Sequence, residues 1–568
     1  MKRMMRRFLV SVLGMMVTAV SMQAARAWSE PRIVTQPDGT QLTVILCGDE
    51  HCHWLQTTDG KVVVRRDDGF YVPSEMPTEQ GEAEAGRRAS ISDNYYLPHA
   101  GSPRILVILT QFYDVKFTLA DPVRSFNQYF NGTTQQDFGN GEHHNHCSVQ
   151  QYFSASSRGQ FVPQFDVVGP VTVSQPLAHY GVNNEANIQK LIQESIDLVD
   201  PQVDFSQYAA DNNDYVGGIV IIHAGYGENM GAPASSIWAK TVSVGKRRDR
   251  VYIAHASVCS ELNGASAADF PGSIPWINGI GVCCHELSHC LGLPDFYPTT
   301  TEARKVNNQA MEYWDLMDYG EYLDSGYMPT PYTCWEQETM GWTEIEKLTG
   351  TRRGMTLTPL LEGGKAYKFG NGADPEEFFL IENIQQRGMN GKAYGHGLLV
   401  YHVAYAKSSV SSSDYPNNTP HKPCMTIVPA DGLLISGYQT LKADGSPLGY
   451  GGTYTREEYR TSLAGDPFPG SHGVNHLTDA QQLPNYQFYN GEAATGCQLL
   501  NITENSQTGI VTLDFVRSDD TGIETVHRSY YSEQLVYDLQ GRKVDINGNV
   551  NKNVKRGLYI QNGKVIVK

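Results

Sequence analysis

Outside its first 27 residues the sequence has no apolar run long enough to cross a bilayer as a helix, which takes about 20 residues. Even the run that it does have, FLVSVLGMMVTAVSM, stops at fifteen. Basic residues are short, with 44 Lys and Arg against 61 Asp and Glu, for a formal net charge of −17. A surface of that sign repels nucleic acid and excludes a partner that is tracked through its phosphates. Cysteine is sparse, ten in 568 residues, which rules out a disulfide scaffold but not individual bridges. There is no internal repeat and no low-complexity tract, hence no solenoid or fibrous array. No constellation supports a serine or cysteine nucleophile.

What is present begins with an export signal over residues 1–27. MKRMMRR is the positive region, the fifteen-residue stretch is the apolar one, and Ala25-Arg26-Ala27 is an A-x-A cleavage site. Removing it takes away five basic residues and no acidic ones, so the net charge moves from −17 to −22. The first cysteine is Cys47, too distant for lipoprotein processing. Export permits disulfides, and Cys47 with Cys52, or Cys259 with Cys283 or Cys284, are candidate pairs.

A hydrophobic content of 40% suits a globular chain of two to four domains. Residues 28–100 read as a small β-rich unit, with Asp-Gly turns at 38–39, 59–60 and 68–69. Its tail, PTEQGEAEAGRRASISDN, reads as an exposed linker in which Arg87-Arg88 invites a protease. RILVILTQF reads as a buried strand, ANIQKLIQESIDLVD as a helix with Ile188, Leu191, Ile192, Ile196 and Val199 on one face, and GGIVIIHAG as a second buried strand. Strand, helix, strand and a further helix predict an α/β domain over 101–348. EEFFLIENI, GHGLLVYHVAY, CMTIVPA and GIVTLDFV then predict a β-sandwich over 349–520, and residues 521–568 a further small β unit.

The chemistry concentrates in CCHELSHCLGLPDFY, residues 283–297. His285 and His289 are four apart, so a helix puts both imidazoles on one face and within reach of one ion. Glu286 is about 100° further round, placed to touch a water on that ion without ligating it. His-Glu-x-x-His is the zinc-peptidase pattern, with the glutamate as general base. Gly292 can take the left-handed conformation that ends a helix, and Pro294 blocks its continuation, which turns Asp295 back towards the histidines. HELSHCLGLPD is therefore the long metzincin form, with Asp295 where a third histidine usually stands. WDLMDYG downstream supplies Met317 for the methionine turn beneath such a site. A carboxylate in place of a third imidazole leaves a single net positive charge at the centre, so Glu286 carries more of the water's deprotonation. The expected chemistry is hydrolysis of a peptide bond, with the metal polarising the carbonyl and steadying the oxyanion while Glu286 moves the proton.

The chain also resembles the immune inhibitor A family of secreted bacterial zinc metallopeptidases. The resemblance runs through QPDGTQLTVILCGDE, RILVILTQF, SVQQYFSASSRGQFVPQFDVVGPV, IIHAGYGE, CSELNG, HELSHCLGLPDFY, WDLMDYG, CWEQETMGW, EFFLIEN and GHGLLVYHV, in that order. It implies an N-terminal pro-segment over 28–100, a metzincin-like catalytic domain over 101–348 and a β-sandwich behind it. It carries the zinc ligands onto His285, His289 and Asp295 and the base onto Glu286. The final unit, VYDLQGRKV to GLYIQNGKVIVK, resembles the C-terminal sorting domains of type IX secretion. The fold class expected is thus α+β and multidomain: a zinc-peptidase domain, a sandwich and a small β domain.

Where the family often has an Asp-rich calcium loop, this chain has YAADNNDYVGG, in which Asp211, Asn213 and Asp214 could offer oxygens but could equally form a polar turn. CGDEHCHW offers Cys47, Asp49 and Glu50 as ligands that could close the zinc's open position in a latent precursor, against a simple turn with a Cys47–Cys52 bridge. Glu302 is the rival third ligand in a thermolysin-type arrangement. His396 and His402 are expected to be packed or hydrogen-bonded. The overall expectation is one catalytic Zn2+, with Ca2+ as a further candidate, in a monomeric protease that is secreted or on the outer cell surface. Its partners are protein or peptide substrates, without nucleic acid and without a stable membrane span. The competing class is a catalytically silent surface-binding protein that uses the sandwich.

Overall fold

Arg104–Gln111 reads as an unbroken apolar run because it is covered on both faces of a sheet. Its side chains alternate between two cores. Ile105, Val107 and Leu109 pack with helices Pro122–Asn131, Val149–Ser156 and Ile280–Cys290, whereas Leu106 and Ile108 meet Glu185–Val199. The computed structural model describes residues 22–518 and short strands between 536 and 567, except residues 51, 67, 76–94, 134–135, 138–143, 182–184, 211–213, 265–275, 307–309, 371–373, 438–453 and 490–494. The Arg87-Arg88 linker lies outside the described residues.

The central sheet runs, from one edge, Met22–Ala24, Lys240–Arg248, Val251–Asn263, Ile219–Tyr226, Arg104–Gln111 and Gln164–Thr172. The last four are parallel to one another, while Lys240–Arg248 returns antiparallel along Val251–Asn263. Asp249 and Arg250, with φ of 45° and 75°, make the two-residue turn that this return requires. The expected strands at RILVILTQF and GGIVIIHAG and the helix at ANIQKLIQESIDLVD are all formed. The antiparallel edge strand was not expected, since its polar half gave no apolar run.

The motif helix Ile280–Cys290 is buried along its whole length. Its approach to the segment Tyr319–Gly326 is set by glycine: a Cβ on Gly281 would stand 1.8 Å from the Glu321 carbonyl oxygen. At the amino-terminal end, Arg32–Thr35, Gln41–Gly48, His53–Thr57, Val62–Arg65 and Tyr71–Pro73 form an antiparallel meander. The three Asp-Gly turns are there, with Gly39, Gly60 and Gly69 at φ of 84°, 78° and 87°.

Behind the motif helix, a five-stranded sheet and a three-stranded sheet stand in sequence positions 346–427 and 352–517. Strand Glu377–Ile384 alternates Phe378 and Leu380 towards the core of the central unit and Phe379 and Ile381 towards Leu513 and Phe515 of the three-stranded sheet. The core therefore runs through residue 348 without a gap, and Trp335 stacks on Tyr405 at 5.5 Å. A helix, Arg456–Gly465, interrupts the region that was expected to be all β. Val536–Asp538, Lys543–Val544, Leu558–Gln561 and Lys564–Val567 form a separate four-stranded sheet. The whole is a mixed α/β chain of several sheets and few helices, and among the described residues no helix is long and apolar enough to cross a membrane.

None of the ten cysteines is in a disulfide. Cys47 and Cys52 sit in one apolar cluster with Ile45 and Trp54 without forming the bridge considered above, and Cys259 hydrogen-bonds with Cys283. His396 and His402 are hydrogen-bonded, to Glu504 at 2.8 Å and Glu377 at 3.0 Å.

The two-faced packing of the central strand gives a measurable contrast. Ile108→Ala is expected to cost about 2–5 kcal/mol, whereas Tyr113→Ala, at a side chain 61% exposed, stays within about 0.5 kcal/mol. Chemical denaturation followed by tryptophan fluorescence reads both.

Candidate metal centre

His285 and His289 stand one turn apart on the motif helix, with ring centroids 4.9 Å apart and planes perpendicular. Gly292, at φ 100°, ends the helix, and Gly292 and Leu293 return their amides to His289 and Ser288 carbonyls at 3.0 and 3.1 Å. The chain then reverses and delivers Asp295, whose Oδ1 lies 3.1 Å from His285 Nε2 and 3.4 Å from His289 Nε2. All three side chains are fully buried.

The outer nitrogens fix the tautomers. His285 Nδ1 donates to the Leu316 carbonyl at 3.0 Å and His289 Nδ1 to the Leu293 carbonyl at 2.8 Å. Each neutral ring then presents Nε2 as an acceptor, and both aim at a carboxylate that is also an acceptor. None of His285 Nε2, His289 Nε2 or the two Asp295 oxygens has a hydrogen-bond partner. Buried acceptors converging without a donor call for a cation, and the donor set of two imidazoles and one carboxylate suits a divalent transition ion. Among the described residues this is the one group of three His, Cys, Asp or Glu side chains able to share an ion, its ligand atoms all within 4.8 Å of one another.

The electrostatics favour positive charge here. Burial would raise the Asp295 carboxyl, but the imidazoles outweigh it and hold it down at about 2. Burial would likewise depress His285, but Glu321, 3.9 Å from its Nδ1, and Asp295 together hold it well above the ordinary value. Glu286 points elsewhere. Burial pushes its carboxyl up to about 7, Thr241 Oγ1 donates to Oε2 at 2.8 Å, and the Ala25 amide donates to Oε1 at 2.9 Å.

Met317 is buried in the turn below. Its amide donates to Asp315 Oδ1 at 2.6 Å, its carbonyl accepts from the Phe296 amide at 2.8 Å, and the preceding carbonyl is the one that holds His285. Glu302 is exposed in the first turn of Thr301–Lys305, outside the His-His-Asp group. Cys47, Asp49 and Glu50 are also outside it: Asp49 pairs with Arg304, Glu50 accepts from Tyr297 Oη at 3.5 Å, and Cys47 Sγ faces the Ile45 carbonyl. Asp211 and Asn213 lie outside the described residues, and Asp214 is exposed with its carbonyl taken by the Tyr252 amide at 2.7 Å. Thr241, Glu321 and the Ala25-Arg26 segment were not anticipated. Acids in DYGEYLD are visible in the sequence, but nothing there tells which one folds back on a histidine.

Residues 96–343 match the family model for the immune inhibitor A peptidase M6 catalytic domain. The chain is 29% identical over 242 residues to the pre-pro-metalloprotease PrtV of Vibrio cholerae serotype O1, which covers 37% of this chain and 26% of that protein. It is 24% identical over 272 residues to immune inhibitor A of Bacillus thuringiensis subsp. alesti, covering 41% of this chain and 39% of that one. The chain thus spans well under half the length of the curated relatives that it matches. The matched segment contains the motif helix, Asp295 and Met317.

The purified protein is expected to carry one equivalent of a divalent ion by mass spectrometry of the elements. Asp295→Ala should lower occupancy at equal free metal by about 10-fold or more, with the chelated wild type melting at a lower temperature than the loaded one.

Proposed function

We propose, from the premise that the chain carries an immune inhibitor A-type M6 metallopeptidase catalytic domain, that it is a zinc-dependent endopeptidase of extracellular proteins, made as a latent precursor. The observation that carries this is the set of three buried acceptors beside a buried glutamate whose carboxyl sits near neutrality. His285, His289 and Asp295 would hold the ion, which when bound supplies a Lewis acid for the scissile carbonyl and an acidified water. Glu286 would accept the proton of the attacking water and pass it to the leaving amine. Thr241 fixes one Glu286 oxygen and so leaves the other, now on the Ala25 amide, for the proton transfer. The Leu316 and Leu293 carbonyls hold each imidazole with Nε2 inward. Met317 would be the residue of a metzincin-type methionine turn, and the two sheets behind the domain would form a β-sandwich.

The export signal over 1–27 and the precursor name of the Vibrio relative support secretion of a precursor. We read 28–100 as the pro-segment, anchored on the catalytic unit by Asp49 with Arg304 and by His53 with Glu228 at 3.0 Å. The β unit after residue 520 would serve sorting or anchoring, and the working form would be a monomer. A silent binding protein has no use for a base buried beside a cation site, so the enzyme reading is preferred.

Glu286→Gln is expected to keep its metal and lose about 10²- to 10⁴-fold in hydrolysis of an unstructured protein. Hydrolysis that is unchanged, or absent in both forms, removes the enzyme reading. Cutting the precursor near Arg88 should raise its activity, and equal activity before and after the cut removes latency.

A further inference from the structure

Beside the metal group lies a second feature, a closed acidic box one residue along the chain from the Glu286 contact. Met22–Ala24 lies antiparallel along the sheet's edge strand, pairing Met22 with Val242, Gln23 with Thr241 and Ala24 with Lys240. The next residues continue extended past the site. The Ala25 amide faces Glu286 at 2.9 Å, the Ala25 carbonyl accepts from Trp238 Nε1 at 2.7 Å, and the Trp28 amide donates to the Asn229 carbonyl at 2.8 Å. This is the way in which an exposed edge receives an extended peptide, with main-chain bonds for affinity and side-chain pockets for selection.

The pocket that selects is filled here by Arg26, fully buried. Its Nη1 donates to Asp318 Oδ1 at 2.6 Å and lies 3.7 Å from Glu312 Oε2, and its guanidinium carbon sits 3.7 Å above the Tyr319 ring, with Tyr297 at 5.9 Å. The walls are themselves braced. Asp318 Oδ2 accepts the Met311 and Glu312 amides at 3.2 and 2.7 Å, which leaves Oδ1 for the guanidinium. Glu312 is gripped by Tyr459 Oη at 2.6 Å and the Gly437 amide at 3.1 Å, and a Cβ on Gly437 would come within 3.3 Å of Arg26 Nη2. Two buried carboxylates and an aromatic face fit a planar cation better than an ammonium. Cleavage after Ala27, as the A-x-A pattern predicts, would withdraw Arg26 and leave both acids without that countercharge.

We infer that the Asp318–Glu312–Tyr319 box is a specificity subsite that selects substrates with arginine at the second residue on the leaving-group side of the cut bond. This rests on the peptidase reading, in which the amide facing Glu286 is the leaving nitrogen. Alanine there would leave two acids buried and unpaired, so discrimination of about 10-fold or more in kcat/KM is expected. Lysine should fall between.

The test uses the exported, metal-loaded chain on a library of unstructured peptides, with cut sites read by mass spectrometry. Arginine should be enriched at that position, and Glu312→Gln should erase the enrichment while cleavage of alanine peptides changes by less than about threefold. Absence of arginine enrichment, or equal losses on both peptides, overturns the subsite. If the exported chain retains Met22–Ala27, the box blocks itself. Arg26→Ala must then raise kcat/KM on arginine peptides by about 10-fold or more, and no rise overturns it. A parallel arm titrates Glu286→Gln, free of turnover, with an arginine hexapeptide and its alanine analogue. Tighter binding of arginine with no hydrolysis by the wild type supports the box and removes the peptidase reading, whereas equal binding removes the box alone.

Discussion

Two buried imidazoles and a buried carboxylate that converge on one point set the terms for the rest of this molecule. Two Nε2 lone pairs and a carboxylate would repel one another in a dry interior unless a cation joined them. The fold accepts that arrangement and reinforces it. Carbonyls from opposite sides of the site, Leu316 from the turn below and Leu293 from the helix end, take the outer nitrogens and forbid the alternative tautomers. Glu321 stands behind, 3.9 Å from His285 Nδ1, with burial pushing its own carboxyl well above the ordinary value. The site is thus prepared for positive charge by groups drawn from three separate stretches of chain.

The packing explains how such stretches hold position. Glycine at 281 lets the motif helix lie against Tyr319–Gly326, where a methyl group would strike a carbonyl. The turn at 315–318 serves two masters, His285 through Leu316 and the chain after Asp295 through Met317. The same turn ends in Asp318, so the wall of the acidic box is continuous with the floor of the metal group. The two groups share a four-residue loop, and the core behind it extends without a break into the sheet that carries Leu380 and Tyr401.

Much of this was readable from the sequence because it is local. The i, i+4 spacing of His285 and His289, the helix stop at Gly292 and Pro294, and the return of Asp295 all fall within eleven residues, and short-range geometry dictates them. Buried strands such as RILVILTQ are legible for the same reason. What stayed hidden depends on long-range contacts. Thr241 reaches Glu286 from 45 residues away on an edge strand with no apolar signature, and Arg26 reaches Asp318 across 292. The Cys47–Cys52 pair illustrates the opposite error: proximity in sequence suggested a bridge, yet the two thiols share an apolar cluster without a disulfide.

X-ray absorption at the metal edge of the loaded protein addresses the central claim most directly, because five buried thiols, Cys259, Cys283, Cys284, Cys290 and Cys334, lie in the same core as the histidines' helix. Two imidazole nitrogens and one carboxylate oxygen should appear at about 2.0–2.2 Å with no sulfur. A sulfur shell near about 2.3 Å, or a single imidazole, would mean that the ion sits elsewhere and that the helix and its kink do not gather it.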